Sequence, residues 1–135
     1  MVTATAHAGL LHGDVSEQIL GGFFDVFNGL GYGFLEVVYR RAMHVELRRR
    51  CLAVASETRF EVRFAGELVG EYRADLVVER RIIVECKAVE RLTEAHEAQL
   101  LNYLQASGLP VGLLLNFGPK PTFRRLIRSS PKKPL

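Results

Sequence analysis

Two carboxylates and one amine lie close together on a predicted hairpin in the middle of the chain. The run YRADLVVERRIIVECK places Asp75 at the start of one apolar strand and Glu85 and Lys87 at the end of the next. Side chains that face each other on paired strands are about 4.5 to 5.5 Å apart at Cβ, so two carboxylates there can share one divalent cation. Without a cation the two charges would repel. The residue types therefore predict a cation site beside a lysine.

The register of this hairpin decides whether the site exists. A polar turn centred on Arg80 pairs Val78 with Ile82 and places Asp75 opposite Glu85, with both acids and Lys87 on one face of the sheet because side chains alternate along a strand. A two-residue turn would instead place Asp75 opposite a cysteine and separate the acids. We therefore predict the three-residue turn.

Apolar periodicity and turn residues predict the elements that must position these side chains. The predicted order is helix 14–28, helix 34–50, strands 54–64, 67–79 and 81–87, a helix from Thr93 to Gly108 and a strand 111–116, with a short strand or turn in 123–127. We expect an α/β fold with a mixed four-stranded central sheet flanked by helices, an αβββαβ core with an extra N-terminal helix. The last strand should lie parallel to the Glu85 strand.

The first two helices carry apolar residues at helical spacing. Asp14 and Glu17 resemble a capping pair at the start of the first helix. The first helix should bury Val15, Ile19, Phe23, Val26 and Phe27, and the second should bury Leu35, Val38, Ala42 and Val45.

Three motifs in order resemble the metal-dependent PD-(D/E)XK nuclease superfamily. Asp75 followed by Glu85-x-Lys87 matches its signature, although Ala74 replaces the proline. The heptapeptide from Gly33 to Tyr39 matches the Gly-x-x-Glu-x-x-Tyr string of one family in this superfamily, and Gln99 with Tyr103 matches the Gln-x-x-x-Tyr helix of exonuclease-like members. The chain resembles that GxxExxY family, and the resemblance implies a restriction-endonuclease-like core.

The resemblance implies hydrolysis of phosphodiester bonds in DNA or RNA. Asp75, Glu85 and the backbone carbonyl of Cys86 would hold Mg²⁺ or Mn²⁺, which prefer oxygen ligands. Lys87 would position the attacking water and offset charge on the transition state. The remaining roles implied are ligand or water holder for Glu36 and Gln99 and supporting positions for Tyr39 beside Glu36 and for Tyr103. His96 is a further supporting candidate because it shares a helix face with Gln99 and Tyr103.

Length and composition are typical of one domain. A chain of 135 residues with 48% hydrophobic residues can bury a core. We expect a domain over residues 14–128 with tails at 1–13 and 129–135. No apolar run approaches a membrane span of about 20 residues, and the N-terminus does not resemble a signal peptide. We expect a cytoplasmic protein.

Basic residues are concentrated at the C-terminal end. The net charge is +3, and residues 118–135 contain six basic residues and no acid. Lys120, Arg124, Arg125 and Arg128 are candidates for contacts with nucleic-acid phosphates. The same residues would also suit a solvated tail. Both interpretations remain open.

Two other functions are compatible with the sequence. The fold could be a catalytically silent module that binds nucleic acid or a protein partner, or the acids and lysine could be a structural cluster. A chain of this length has little room for a second nucleic-acid-binding domain, so a homodimer or a partner protein is plausible.

Overall fold

The computed structural model describes residues 11–128. Residues 1–10 of the predicted N-terminal tail and the whole predicted C-terminal tail 129–135 lie outside this range. The described chain contains three helices and five strands, in the order α1 (Gly13–Leu30), α2 (Glu36–Arg49), β1 (Val54–Phe64), β2 (Glu67–Val78), β3 (Ile82–Lys87), α3 (Glu94–Ser107), β4 (Val111–Phe117) and β5 (Pro121–Ile127).

The strands form one mixed sheet in the order β1-β2-β3-β4-β5. As predicted, β3 and β4 are parallel, and every other neighbouring pair is antiparallel. The prediction of four strands was wrong, because residues 121–127 form a complete fifth strand. All seven residues of β4 are buried, and an apolar edge strand would leave a row of backbone groups unpaired, so β5 covers that edge.

Helices cover both faces of the sheet. One core contains apolar residues of α1 and α2 packed against alternate residues of β2, β3 and β4. The second core is smaller and contains Leu100 and Leu104 of α3 packed against residues such as Val77, Ile83 and Leu114. The ends of the central strands therefore lie between α2 on one side and α3 on the other.

The first helix buries the face that the sequence predicts, but its start differs. Val15, Ile19, Phe23 and Val26 are buried, while Phe27 is partly buried against the core. The helix begins at Gly13, and its N-cap residue is His12, without a capping hydrogen bond from any side chain. The predicted capping role of Asp14 was wrong, because Asp14 already lies inside the first turn.

The buried face of α2 is displaced from the predicted one. The helix begins at Glu36 and buries Tyr39, Met43 and Leu47. The predicted core residues Leu35 and Val45 are 76% and 59% exposed. Because Leu35 is the N-cap residue, its extended backbone directs its side chain away from the helical face. Each position along a helix rotates the side chain by about 100°, so one position changes the face.

The hairpin turn has the predicted register. Val78 pairs with Ile82, Val77 with Ile83 and Leu76 with Val84. Glu79 and Arg80 both have left-handed backbone angles, with φ of 54° and 55°. Ala53 donates a backbone hydrogen bond to the Glu79 carboxylate at 2.6 Å, and the Glu79 backbone N–H donates to the Ala53 carbonyl at 2.8 Å. These two bonds offset the unfavourable turn conformation and fix the register.

Within residues 11–128, no helix combines the length and apolar character that membrane crossing requires.

Candidate active site

The candidate site lies where β2 and β3 separate. The backbone ladder between these strands ends at the pair Leu76 and Val84. Beyond that pair, carboxylates replace backbone carbonyls as acceptors. Asp75 donates its N–H to Glu85 Oε2 at 2.8 Å, and Cys86 donates its N–H to Asp75 Oδ2 at 2.8 Å. The two acids are therefore held together by reciprocal bonds across the gap between the strands.

Burial makes the two carboxylates unusually weak acids. Glu85 is 6% exposed, and burial, followed by the charge of Asp75, raises its pKa to about 8. Burial also raises the pKa of Asp75, against the lowering effects of the Cys86 N–H and the charges of Arg40 and Lys87. Carboxylates whose ionised form is disfavoured by burial gain from a nearby positive charge. The site thus favours a cation.

Lys87 lies beside the acids and contacts α3. Its Nζ donates a hydrogen bond to Gln99 Oε1 at 3.4 Å, so the Gln-x-x-x-Tyr helix reaches the site as the motif predicts. The Tyr103 ring stacks on Tyr72 with centroids 3.8 Å apart. Burial raises the pKa of Tyr103, and a hydrogen bond with the Gln99 side chain opposes that effect. These contacts fix the Gln99 side chain that holds Lys87.

Two site residues were missed by the sequence analysis. Arg40 of α2 places its guanidinium 4.0 Å from Asp75 Oδ1 and 3.7 Å from a carboxylate oxygen of Glu57 in β1. Glu57 has φ of 53° and interrupts the pairing of β1 with β2 beside Asp75. The sequence indicates only weakly that Arg40 belongs to the site. Arg40 lies one helical turn after Glu36 and therefore on nearly the same face of the helix. No local signal marks Glu57, because its role depends on how β1 pairs.

Glu36 and Tyr39 differ in their relation to the site. Glu36 is exposed at the first position of α2, and its charge contributes to the raised pKa of Glu85. Tyr39 is fully buried, and its hydroxyl donates to the Gly31 carbonyl and accepts from the Phe34 N–H. The structure therefore gives Tyr39 a role in shaping the loop before α2, and it forms no hydrogen bond with Glu36 in residues 11–128.

His96 belongs to the start of α3. Its Nδ1 accepts the Thr93 N–H at 3.0 Å, and its own N–H donates to Thr93 Oγ1 at 3.4 Å. This capping box confirms Thr93 as the predicted cap. The hydrogen bonds of the His96 ring are thus made within the helix cap, which argues against the predicted supporting role beside the acids.

The four basic candidates near the C-terminus are distributed along β5. Lys120 precedes β5, next to the end of β4 where Asn116 pairs with Lys87. Arg128 follows β5 at the opposite end of the sheet, about 20 Å away along a seven-residue strand. Arg124 is exposed, whereas Arg125 donates hydrogen bonds to Ser16 Oγ and to the Leu11 carbonyl. Within residues 11–128, these four basic residues therefore belong to β5 and its two flanks rather than to a tail.

Asn116 supports the loop that follows Lys87, another role that the sequence analysis missed. This residue is buried, its Oδ1 accepts the Val89 N–H at 3.0 Å, and its Nδ2 donates to the Val89 carbonyl at 3.0 Å. Asn116 also pairs with Lys87 in the parallel ladder. The amide therefore fixes the chain on the C-terminal side of the candidate lysine.

The two acids suit a divalent cation, although their side chains alone do not form a complete set of ligands. Glu85 Oε1 has no hydrogen-bond partner within residues 11–128, and Asp75 Oδ1 has only the distant Arg40 contact. These hard oxygen donors fit Mg²⁺ or Mn²⁺. No group of three or more His, Cys, Asp or Glu side chains in the described range could hold a metal. Glu36 therefore does not form such a group with Asp75 and Glu85.

A mixed sheet with helices on both faces, and with two acids and a lysine where its central strands separate, defines a nuclease-like α/β domain. The family model of the PD-(D/E)XK nuclease superfamily matches residues 13–126. The chain belongs to this superfamily, whose members are typically nucleases that use divalent metals.

A solved structure supports the same fold. The crystal structure of SSO0001 aligns with a TM-score of 0.54 and 20% identity, and the alignment covers 71% of this chain and 50% of that chain. At this identity the similarity concerns the fold alone. A search of curated proteins finds no match.

Proposed function

We propose that this protein is a metal-dependent nuclease that hydrolyses phosphodiester bonds in DNA or RNA. The observation that carries the proposal is the pair Asp75 and Glu85, held across the gap between two strands with Lys87 two residues further on. The superfamily match supports the same chemistry. The match of residues 33–39 to the Gly-x-x-Glu-x-x-Tyr string favours the GxxExxY family.

Each residue has a distinct proposed role. Asp75 and Glu85 bind Mg²⁺ or Mn²⁺ through the oxygens that accept no backbone hydrogen bond, and the Cys86 carbonyl is a further candidate ligand. The metal, when bound, polarises the phosphate and acidifies a water. Lys87, held by Gln99 at 3.4 Å, orients that water and offsets negative charge that develops on the phosphate. Glu36, exposed near Glu85, holds water at the periphery.

Metal binding is tested first by thermal unfolding. A ligand that binds only the folded state raises the melting temperature, so Mg²⁺ or Mn²⁺ should stabilise the wild type. Asp75→Asn should lose this stabilisation because it removes the charge that binds the cation. Equal thermal shifts in the two proteins would exclude a cation at Asp75.

Cleavage is then measured on single- and double-stranded DNA and RNA, with Mg²⁺, Mn²⁺ or EDTA. Lys87→Ala should abolish cutting while the metal-induced thermal shift remains, and Gln99→Ala should give a partial loss. Arg91→Ala is the matched control, because Arg91 is exposed, carries the same charge and lies four residues away. Contaminating nuclease would not follow these substitutions. Cleavage that is equal in wild type and Lys87→Ala, or absent on every substrate, would leave a silent binding module as the better explanation.

A further inference from the structure

A concave basic surface lies beside the acids, on the side of α2. A cleft of about 350 Å³ separates α2 from β1 and is lined by Arg40, Arg41, His44, Val45, Ser56 and Glu57. The lining residues come from two elements that are distant along the chain. The cleft is therefore a product of the fold rather than of one helix.

The cleft presents several hydrogen-bond donors toward one space. Arg41 is exposed and forms no ion pair within residues 11–128. His44 Nδ1 and Ser56 Oγ are 2.5 Å apart and join the two walls. Guanidinium, imidazole and hydroxyl groups are the side chains that bind phosphate oxygens.

One acid also lines the cleft, but its charge is partly offset. Glu57 lies 3.7 Å from the guanidinium of Arg40, which reduces its repulsion of an anion. Arg41 then supplies a positive charge that no acid within residues 11–128 pairs with, and His44 and Ser56 supply further polar groups. The balance favours an anion over a cation at the outer part of the cleft.

Arg40 connects this cleft with the candidate active site. Its guanidinium lies 4.0 Å from Asp75 Oδ1 and also forms part of the cleft wall. A phosphate in the cleft would therefore be separated from the acids by a single arginine side chain. A nucleic acid carries phosphates at regular short intervals, so one strand can contact both places.

We propose that the cleft formed by Arg40, Arg41, His44 and Ser56 binds a phosphate group of the nucleic acid next to the phosphate that is cut. This inference rests on the proposed nuclease function for the identity of the ligand, and it names a second point of attachment. The bound group is either an internal phosphodiester or a terminal 5′-phosphate. Either group offers the oxygens that the donors of the cleft require.

Binding can be measured without metal, so that catalysis plays no part. The ¹⁵N-labelled full chain in EDTA is titrated with inorganic phosphate, and then with a short oligonucleotide carrying either a 5′-phosphate or a 5′-hydroxyl. Amide shifts of residues 40–44 and 56–57 should change and saturate. Arg41→Gln should weaken binding about tenfold, the effect of losing one charge-assisted hydrogen bond.

Arg48→Gln is the matched control. Arg48 is exposed on the same helix, seven residues after Arg41, and its substitution removes the same charge outside the cleft. Its effect should be less than about twofold, because only screened long-range attraction is lost. Equal weakening by the two variants, or shifts that do not saturate or that fall outside the cleft, would overturn the proposal.

The two oligonucleotides identify the source of the phosphate. Stronger binding of the 5′-phosphorylated strand, lost in Arg41→Gln, assigns a terminal phosphate. Equal binding of both strands, weakened equally by Arg41→Gln, assigns an internal phosphodiester. If phosphate binds saturably in the cleft but the protein never cleaves, the proposed catalysis is refuted and the proposed phosphate site stands. If the protein cleaves but nothing binds in the cleft, the phosphate site is refuted and the proposed catalysis stands.

Discussion

Glu85 should make the metal-free protein less stable as the pH rises, and Glu85→Gln should remove that dependence. Burial raises the pKa of Glu85 from 4.5 to about 8. The folded state therefore binds a proton more tightly than the unfolded state between these two values. The free energy of unfolding is highest for this group below pH 4.5 and falls as the pH rises toward 8.

The size of the effect follows from the interval between the two pKa values. From pH 4.5 to pH 7, each pH unit changes the free energy of unfolding by about 1.4 kcal/mol, which gives a loss of about 3 kcal/mol. The Glu85→Gln variant keeps an oxygen that can accept the Asp75 N–H but has no charge to bury. Asp75 also has a raised pKa, and its pH dependence should remain in both proteins.

Urea unfolding in EDTA, followed by circular dichroism at several pH values from 4.5 to 8, measures this difference. The wild type should lose about 3 kcal/mol more than Glu85→Gln between pH 4.5 and pH 7. Glu67→Gln is the control, since Glu67 is exposed and its substitution should leave the wild-type curve unchanged. Parallel curves for wild type and Glu85→Gln would refute the reasoning, because they would show that Glu85 ionises as easily in the folded protein as in the unfolded chain.

Three substitutions test the groups that support the site. Tyr39→Phe removes two hydrogen bonds to the loop before α2 and should lower the free energy of unfolding by about 1 to 3 kcal/mol in urea. Asn116→Ala should lower it by a similar amount, about 1 to 3 kcal/mol, and should speed amide hydrogen exchange at Val89, whose N–H would lose its acceptor. Gly112→Ala places a methyl group 2.8 Å from Leu100 and should reduce the melting temperature through overpacking of about 1 to 3 kcal/mol.

Matched variants give these tests a reference. Gly29→Ala meets nothing within 4 Å in α1 and should keep or raise the melting temperature, because alanine favours helix more than glycine. Tyr32→Phe removes an exposed hydroxyl and should leave unfolding unchanged. A Gly112→Ala protein as stable as wild type would mean that α3 moves freely over the sheet, and a stable Tyr39→Phe protein would mean that the loop does not depend on that hydroxyl.

Local rules were sufficient for the hairpin that carries the acids. A three-residue polar turn centred on Arg80 between two apolar runs predicts the pairing of Val78 with Ile82, and the structure has that pairing. Slipping by one residue would expose a buried strand face. The residue type predicts the cap at Thr93, and the order of elements with a crossover helix predicts the parallel arrangement of β3 and β4.

Local rules were less reliable where an element is defined by what it packs against. The sequence assigned Leu35 and Val45 to the core, but α2 starts at Glu36 and buries a different face, so both residues are exposed. It also left residues 123–127 as a short strand or turn, although β4 needs a complete partner along its buried edge. Periodicity alone determines neither which face of a helix is buried nor whether a further strand pairs with a buried strand.

The sequence by itself determined the superfamily, most of the order of elements and the register of the hairpin that carries the acids and the lysine. Only the tertiary structure placed Arg40 and Glu57 beside Asp75, assigned Tyr39 to the loop before α2, and distributed the basic residues along β5. The reason is physical. Residues within one hairpin meet through local pairing, whereas contacts between α2 and β1 depend on how separate elements pack, which no local pattern encodes.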